Sequence, residues 1–214
     1  MSTLALIDYG SGNLPSADKA LRKAAAALDT PATVITTDDP DVIRRADRVV
    51  LPGVGAFAAC MAALSVRAGV IEAMDEAVVG RGAPFLGICV GMQLLADRGL
   101  EFRITPGLGW LGGEVRVLRP KGPGLKIPHM GWNSLEGNLT GPLFNGLAPG
   151  VHMYFTHSYA LFPDQEDDVC AWTDHGGRFV AAVARGNVAG VQFHPEKSQG
   201  AGARLLANFL NWRP

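Results

Sequence analysis

Residues 84–95 read PFLGICVGMQLL, and this stretch decides the fold of the chain. An apolar run ends at Cys89, which stands between Gly87 and Gly91, and helix-forming residues follow at once. Gly-x-Cys-x-Gly is the thiol counterpart of the Gly-x-Ser-x-Gly elbow, a sharp strand-to-helix turn that presents a nucleophile. Free N–H groups and the dipole at a helix start favour negative charge, and the N–H of Val90 is placed to bind an oxyanion. The alternative is a small buried side chain, the usual fate of a free cysteine.

The overall composition is that of an ordinary globular protein. The 214 residues are 48% hydrophobic and 18% charged, with a formal net charge of −1, so nothing indicates nucleic acid or a charged membrane surface as a partner. We find no run of about 20 uncharged apolar residues that would cross a bilayer. The first residues lack the basic segment and cleavage site of a signal peptide. We expect one domain over residues 1–214.

The three cysteines are Cys60, Cys89 and Cys170, an odd number without Cys-x-x-Cys spacing. This pattern argues against a disulfide framework and against a thiolate metal site. We therefore expect the protein to work in a reducing cytoplasm, where Cys89 stays free.

The first half of the chain alternates buried strand patterns with helix patterns. Asp39 is expected to cap a short helix that begins with Pro40. The alternation predicts an α/β fold with a doubly wound, largely parallel sheet and flanking helices, in which ligands gather beyond the carboxyl ends of the strands. We expect strands at residues 4–8, 32–36, 48–51 and in the elbow, and helices at 16–28, in the 60s, at 70–79 and at 90–96.

Two glycine-rich turns follow strands in this half. Gly10-x-Gly12 lacks the third glycine of a dinucleotide fingerprint, and no acidic residue closes a plausible second strand, so dinucleotide binding is rejected. Gly53-Val54-Gly55 is a backbone that can rotate and can approach a ligand closely, because glycine tolerates conformations that other residues avoid. Taken alone, this segment is more simply interpreted as a plain strand-to-helix turn.

The second half changes character. Residues 107–150 are rich in glycine and proline and predict hairpins and surface loops, with an apparent loop at 126–133 that carries His129 and Trp132. These patterns predict an antiparallel β section added to a mixed sheet. Strand patterns follow at 151–159, 169–173, 179–184 and 188–193, and the last helix is expected at 200–212.

His194-Pro195-Glu196 is the second candidate catalytic cluster. A cysteine nucleophile needs a base, and imidazole titrates near neutral pH. A carboxylate on the other ring nitrogen orients the base and stabilises the imidazolium. If the segment is extended, His194 and Glu196 share a face and address one spot. His-Pro-Glu alone would be an ordinary strand end, but together with the elbow it indicates a catalytic site.

Three motifs together resemble the class I, or triad, glutamine amidotransferases, namely residues 52–55 (PGVG), 87–93 (GICVGMQ) and 194–196 (HPE). Four flanking segments are similar to the glutaminase subunits of imidazole glycerol phosphate synthases. They are residues 8–13 (DYGSGN), 128–133 (PHMGWN), 154–159 (YFTHSY) and 194–199 (HPEKSQ). Pro15, just after the first of these segments, departs from the pattern of those subunits, and we expect it to affect the start of the first helix near a partner.

The resemblance implies a mechanism and a set of site residues. Cys89 would attack the side-chain amide of glutamine to give a thioester, while His194, oriented by Glu196, moves the proton. Gln93 lies one helical turn beyond Cys89 on the same face and would hold the substrate. The oxyanion would be bound by the backbone at Gly53, Val54 and Val90, and glutamine also by the backbone at Gly55, Ser158 and Tyr159.

The resemblance also implies a partner and a pathway. Ammonia would pass to a (β/α)8 cyclase subunit of a heterodimer, which makes imidazole glycerol phosphate and an aminoimidazole carboxamide nucleotide in histidine biosynthesis. No metal and no organic cofactor is implied. We expect the partner to dock over the face that carries Asn13, Trp132, Tyr154 and Lys197, since exposed aromatic and basic side chains are frequent interface anchors.

Three alternatives stay open from the sequence. The chain could be the glutaminase subunit of another class I amidotransferase. It could be a cysteine hydrolase of related fold, although such an enzyme has no use for Gln93 or the His-Pro-Glu pattern. A binding module without activity is the third, and an intact Cys-His-Glu set argues against it.

Overall fold

Strands of mainly apolar residues form the centre of the molecule, and α-helices cover them. The computed structural model describes residues 2–28, 31–137, 139 and 141–214. The strands are β1 Ser2–Ile7, β2 Ala32–Thr37, β3 Arg48–Gly53, β4 Phe85–Cys89, β5 Arg98–Gly99, β6 Thr105–Pro106, β7 Gly113–Val117, β8 His129–Ser134, β9 His152–His157, β10 Tyr159–Pro163, β11 Val169–Asp174, β12 Arg178–Arg185 and β13 Val188–Val191. The helices are α1 Leu14–Ala26, α2 Pro40–Arg45, α3 Phe57–Ser65, α4 Val70–Asp75, α5 Val90–Gln93 and α6 Gln199–Asn211.

The main sheet has seven strands in the order β11-β12-β13-β4-β3-β1-β2. The five strands from β13 to β2 are parallel, and β12 and β11 extend that edge in antiparallel fashion. β3, β4 and β13 are buried along their whole length, as strands covered by helices on both faces must be. This is the doubly wound, largely parallel mixed sheet that the sequence predicts.

The order of the strands decides where chemistry can occur. β4 lies between β3 and β13, with Gly53 paired to Cys89 and Val191 paired to Ile88. Because the three strands are parallel, their carboxyl ends lie side by side at one edge of the sheet. The segments that follow them are the Gly-Val-Gly turn, the elbow and the His-Pro-Glu segment, which thereby become neighbours.

The predicted helices of the first half form, with local reasons visible in the sequence. α1 begins at Leu14 with Pro15 in its first turn, where proline lacks only an N–H that a helix start leaves unused. Its core-facing side is made of Ala17, Leu21, Ala24 and Ala25. α2 is capped by Asp39, whose carboxylate accepts a hydrogen bond from the N–H of Asp41 at 2.8 Å.

Several elements differ from the sequence prediction, since the strand predicted at 151–159 is divided into β9 and β10 and the strand predicted at 188–193 ends at Val191. The helix after the elbow ends at Gln93 instead of residue 96, because the N–H groups of Leu95 and Ala96 bond to the carbonyls three residues back, those of Met92 and Gln93, both at 3.1 Å. The carbonyls of Leu94 and Leu95 then accept hydrogen bonds from the N–H groups of Leu108 and Leu111 at 2.8 and 2.9 Å. The segment predicted as a loop at 126–133 is largely a strand, since β8 begins at His129 and pairs with β9. The sequence predicted a loop here because the surrounding glycines and prolines are typical of loops and outweighed the alternation of exposed and half-buried side chains in this strand.

The antiparallel section consists of two small sheets. β10, β7, β5 and β6 form one sheet in that order, and β8 and β9 form the other. Within the residues that the structure covers, no single helix has the length and apolar character to cross a membrane; α3 and the helical segment Val70–Gly80 meet that test as a pair, bent by 95°.

Candidate active site

Cys89 occupies the sharp turn between β4 and α5. It is buried, and its backbone has φ 55° and ψ −110°, a region that residues other than glycine rarely adopt. The neighbouring glycines are required by space, because a Cβ at Gly87 would lie 2.5 Å from the carbonyl oxygen of Gly91. A Cβ at Gly91 would overlap the carbonyl oxygen of Leu51 on β3. The turn therefore has the strained geometry that the Gly-x-Cys-x-Gly pattern predicts.

His194 and Glu196 lie together beside this turn. His194 Nδ1 is 2.7 Å from Glu196 Oε1, and both side chains are almost completely buried. The prediction that an extended segment aligns the two side chains is wrong. β13 ends at Val191, and residues Pro195–Lys197 form a 3-10 turn that folds the carboxylate back onto the imidazole.

The electrostatics of His194 suit proton transfer. Burial lowers the pKa of His194, but the hydrogen bonds and charges of Cys89 and Glu196 outweigh burial and raise the pKa to about 9. Among the described residues, the buried Nε2 atom has no hydrogen-bond partner of ordinary geometry, so this nitrogen is available to a reacting group. At neutral pH the side chain is an imidazolium, oriented by Glu196 and close to the sulfur.

A pocket of about 210 Å³ opens in front of Cys89. Its size suits a small molecule rather than a drug-sized ligand. Seven of its lining residues are among those singled out from the sequence, namely Val54, Gly55, Cys89, Val90, Gln93, Ser158 and Tyr159. The sequence reasoning missed the other three, Glu101, Thr156 and His157. Gly53 lies behind the pocket, where it lines a small gap with Asn13, His194 and Glu196.

Gln93 is held by the protein on the floor of this pocket. Its side-chain Nε2 donates to the carbonyl oxygen of Tyr159 at 2.8 Å and to Gln192 Oε1 at 3.0 Å. Gln192 Nε2 in turn lies 3.7 Å from the sulfur of Cys89. A chain of two side-chain amides therefore joins the carbonyl of Tyr159, which borders the pocket, to the sulfur of Cys89.

The Gly-Val-Gly turn is fixed on both sides of one peptide. The buried hydroxyl of Tyr9 donates to the carbonyl oxygen of Pro52 at 2.8 Å. The hydroxyl of Ser11 donates to the carbonyl oxygen of Val54 at 2.9 Å, and the thiol of Cys60 lies 3.5 Å from the same oxygen. The peptide between Gly53 and Val54 stands between these two anchored carbonyls.

Two buried histidines form a directed hydrogen-bond chain behind the pocket. His157 Nδ1 is 2.9 Å from the carbonyl oxygen of Tyr159, which can only accept, so Nδ1 carries the proton and Nε2 accepts. His129 Nδ1 then donates to that Nε2 at 3.1 Å. Burial is the first cause that lowers the pKa of His129 to about 4 and that of His157 to about 3. Both imidazoles are therefore neutral at pH 7.

Three of the residues predicted to face a partner, Trp132, Tyr154 and Lys197, lie together, and hydrogen bonds join this patch to His194. Trp132, about half exposed, and Tyr154 lie edge to face with ring centroids 6.0 Å apart, and Lys197 Nζ is 5.5 Å from the Tyr154 ring. The backbone N–H of His194 donates to the carbonyl of Tyr154 at 2.8 Å. Ser198 Oγ accepts from the Tyr154 N–H at 3.0 Å and donates to the His194 carbonyl at 2.6 Å.

Within the described part of the chain, no group of three or more His, Cys, Asp or Glu side chains is placed to hold a metal ion.

Comparison with known proteins gives a family match and close relatives. A family model described as glutamine amidotransferase class-I matches residues 5–212. The protein named imidazole glycerol phosphate synthase subunit HisH from Caulobacter vibrioides is 61% identical over 214 residues, which is 100% of both chains. The protein of the same name from Agrobacterium fabrum is 53% identical over 214 residues, which is 99% of each chain.

Solved structures share the fold at low sequence identity. A putative GMP synthase subunit from Thermoplasma acidophilum superposes with a TM-score of 0.67 at 20% identity, covering 99% of this chain and 93% of that one. A crystal structure of a glutamine amidotransferase gives a TM-score of 0.69 at 19% identity, covering 97% of each chain. Together with the family match, these structures confirm the predicted fold class.

Proposed function

Because this chain belongs to the class I glutamine amidotransferase family, we propose that it hydrolyses glutamine and supplies the ammonia to the cyclase subunit of imidazole glycerol phosphate synthase. The observation that carries the proposal is the meeting of Cys89 with the His194–Glu196 pair in front of a pocket of amino-acid size. The full-length relatives named as HisH subunits support the choice of pathway. Histidine biosynthesis then follows as the process that the ammonia serves.

The first half of the reaction needs an acid beside the nucleophile. The sulfur of Cys89 attacks the side-chain carbonyl carbon of glutamine, and a tetrahedral intermediate forms. His194, charged at neutral pH because its pKa is about 9, then protonates the amine that departs as ammonia. The C–N bond breaks and a γ-glutamyl thioester remains on Cys89. Glu196 keeps the imidazole oriented and compensates its charge.

The second half uses the same histidine as a base. His194 has lost its proton, so it takes one from a water molecule that attacks the thioester. A second tetrahedral intermediate collapses, the C–S bond breaks, and the electron pair returns to the sulfur as glutamate leaves. The negative oxygen of both intermediates would be bound by the N–H of Val90 and by the N–H of the Gly53–Val54 peptide.

The pocket offers groups for the rest of the glutamine molecule. Glu101 is a carboxylate on the pocket wall and suits the substrate ammonium group. The backbone at Gly55, Ser158 and Tyr159 borders the same space and suits the substrate carboxylate. Gln93 would act mainly by fixing the Tyr159 carbonyl, since its Nε2 is already bound to that oxygen.

The partner would be a (β/α)8 cyclase that docks on the patch of Asn13, Trp132, Tyr154 and Lys197. The patch combines a half-exposed tryptophan with a cation over an aromatic ring, both of which are typical of interface centres. The hydrogen bond from the His194 N–H to the Tyr154 carbonyl, and the Ser198 hydroxyl that bridges the same two backbones, would transmit a shift of the patch to the triad. A heterodimer formed in this way would keep ammonia away from bulk water.

Cys89→Ala tests the proposal in a reconstituted complex with the cyclase. Glutamine-dependent formation of imidazole glycerol phosphate should be lost, while the same complex supplied with ammonium salt should keep its cyclase rate. Cys170→Ala, which removes a half-buried thiol outside the pocket, is the matched control. Substantial glutaminase turnover by Cys89→Ala would refute the assignment of the nucleophile. Glutaminase activity without any transfer to the cyclase would instead point to another class I amidotransferase.

A further inference from the structure

Gln192 is a fully buried amide beside the nucleophile. It directly follows β13, precedes His194 by two residues, and has 0% of its surface exposed. Its backbone N–H donates to the carbonyl of Ala181 on β12 at 2.9 Å, which fixes the residue in place. A buried amide is costly unless its polar atoms are paired, so the partners of this side chain indicate what it is for.

The direction of the Gln192 amide follows from its neighbours. The carbonyl oxygen of Tyr159 can only accept, so the Gln93 atom that lies 2.8 Å from it is the NH₂ group. The same NH₂ group contacts Gln192 at 3.0 Å, and the Gln192 atom at that contact must therefore be its oxygen. The NH₂ group of Gln192 is left facing the sulfur of Cys89 at 3.7 Å.

We propose that Gln192 is a catalytic residue whose side-chain N–H binds the sulfur of Cys89 whenever that sulfur carries negative charge. Hydrogen bonds to charged acceptors are about twice as strong as those between neutral groups, so this donor favours the thiolate over the thiol. It acts at two points of the reaction. It holds the thiolate before attack, and it receives the electron pair that returns to sulfur when the C–S bond of the thioester breaks.

Gln93 is the positioning residue for this donor. It is anchored to the Tyr159 carbonyl, and its second N–H holds the oxygen of Gln192. Without that hold, the Gln192 amide can turn and present its oxygen to the sulfur, which repels a thiolate. This inference rests on the proposed function, and it adds a donor that neither the triad nor the oxyanion hole contains.

Alkylation of Cys89 by iodoacetamide tests the donor without glutamine or cyclase. The rate is measured from pH 5 to pH 9 in the full chain, and peptide mass spectrometry separates Cys89 from Cys60 and Cys170. Gln192→Met keeps the length of the side chain and removes the donor. Thr173→Val is the matched control, because Thr173 is fully buried and its hydroxyl has no hydrogen-bond partner among the described residues.

We expect Gln192→Met to alkylate about tenfold more slowly at pH 7, with its rate-versus-pH curve moved to higher pH, because a hydrogen bond to a charged group is worth at least that factor. Gln192→Glu, which places an oxygen where the donor was, should react more slowly still. Thr173→Val should match the unmodified chain. A Gln192→Met protein with the unmodified alkylation curve would overturn the proposal, even if its glutaminase rate had fallen.

Two further measurements keep the test decisive. If Gln192→Met fails to melt cooperatively, the alkylation rates of Gln192→Glu and Gln93→Met test the donor role instead. Gln93→Met should also slow alkylation of Cys89, by a smaller factor than is expected for Gln192→Met. Unmodified rates in both variants would equally overturn the donor role. Because alkylation needs no glutamine, a chain that shows the Gln192 dependence but has no glutaminase activity even in the complex with the cyclase and its nucleotide ligand would refute the proposed function and leave the donor in place.

Discussion

The two buried histidines behind the pocket make the stability of the chain depend on pH. In the folded chain the pKa is about 4 for His129 and about 3 for His157, whereas an unfolded histidine has a pKa of about 6.5. For a histidine whose folded pKa is lowered, stability is fully present above about pH 6.5 and is lost as the pH falls toward the folded value. Lowering the pH from 8 to 5 should therefore reduce the free energy of unfolding by about 2 kcal/mol for each of the two histidines.

His157→Asn isolates one of these contributions. Asparagine has both a donor and an acceptor for the hydrogen-bond chain but does not titrate, so the loss of stability between pH 8 and pH 5 should shrink by about 2 kcal/mol. His194 acts in the opposite direction, since its folded pKa of about 9 lies above the ordinary value, but it is present in both proteins and cancels in the comparison.

Urea unfolding followed by tryptophan fluorescence at the two pH values gives the required free energies. His152→Asn, which removes an exposed histidine from the same strand, is the matched control for the loss of an imidazole. An equal change in the two variants would show that burial of His157 is not the cause. An unchanged pH dependence in His157→Asn would show that His157 becomes an imidazolium in the folded chain as readily as in the unfolded chain.

Three further predictions concern the triad, the partner and the oxyanion turn. Glu196→Gln should slow single-turnover acylation less than His194→Ala does, because it leaves a base in place but poorly oriented, whereas loss of the base costs about 10²–10⁴-fold; an equal or reversed order would mean that the roles are misassigned. Amide hydrogen exchange around Trp132 and Tyr154 should slow when the cyclase is added, and exchange unaffected by the cyclase would place the interface elsewhere. The free chain should hydrolyse glutamine about 10²–10³-fold more slowly than the complex with its nucleotide ligand, since a carbonyl in place of the Val54 N–H removes one oxyanion donor; equal rates would rule out such a gate.

Local patterns were sufficient for the elbow and for the parallel core. The two glycines around Cys89 stand where any Cβ would collide with backbone, so the glycine spacing in the sequence is enough to predict the turn. Uninterrupted apolar strands between amphipathic helices likewise predict a buried parallel sheet, because a strand covered on both faces has no polar side. The end of β4, where Cys89 lies, is therefore visible from the sequence alone.

Contacts between distant segments could not be predicted in the same way. The folding of Glu196 onto His194 depends on a 3-10 turn whose start is set by proline, and an extended segment would have served the same two residues. Gln192 left one signal, a lone polar residue in an apolar run before the His-Pro-Glu motif. Its contacts with Gln93 and Cys89 span about a hundred residues of sequence, and no local pattern reports them.

The carbonyls on either side of the Gly53–Val54 peptide are anchored, so a change of activity at this turn would need only this one peptide to move. Tyr9 holds the carbonyl of Pro52, and Ser11 with Cys60 holds that of Val54, so the peptide between them is the one unit of the turn whose carbonyl these side chains do not hold. Turning that unit exchanges a carbonyl oxygen for an N–H and reverses the sign of the field felt by the reacting oxygen. If a partner drives that single rotation, as we propose, the low resistance of the adjacent glycine would let it switch the enzyme between two levels of activity.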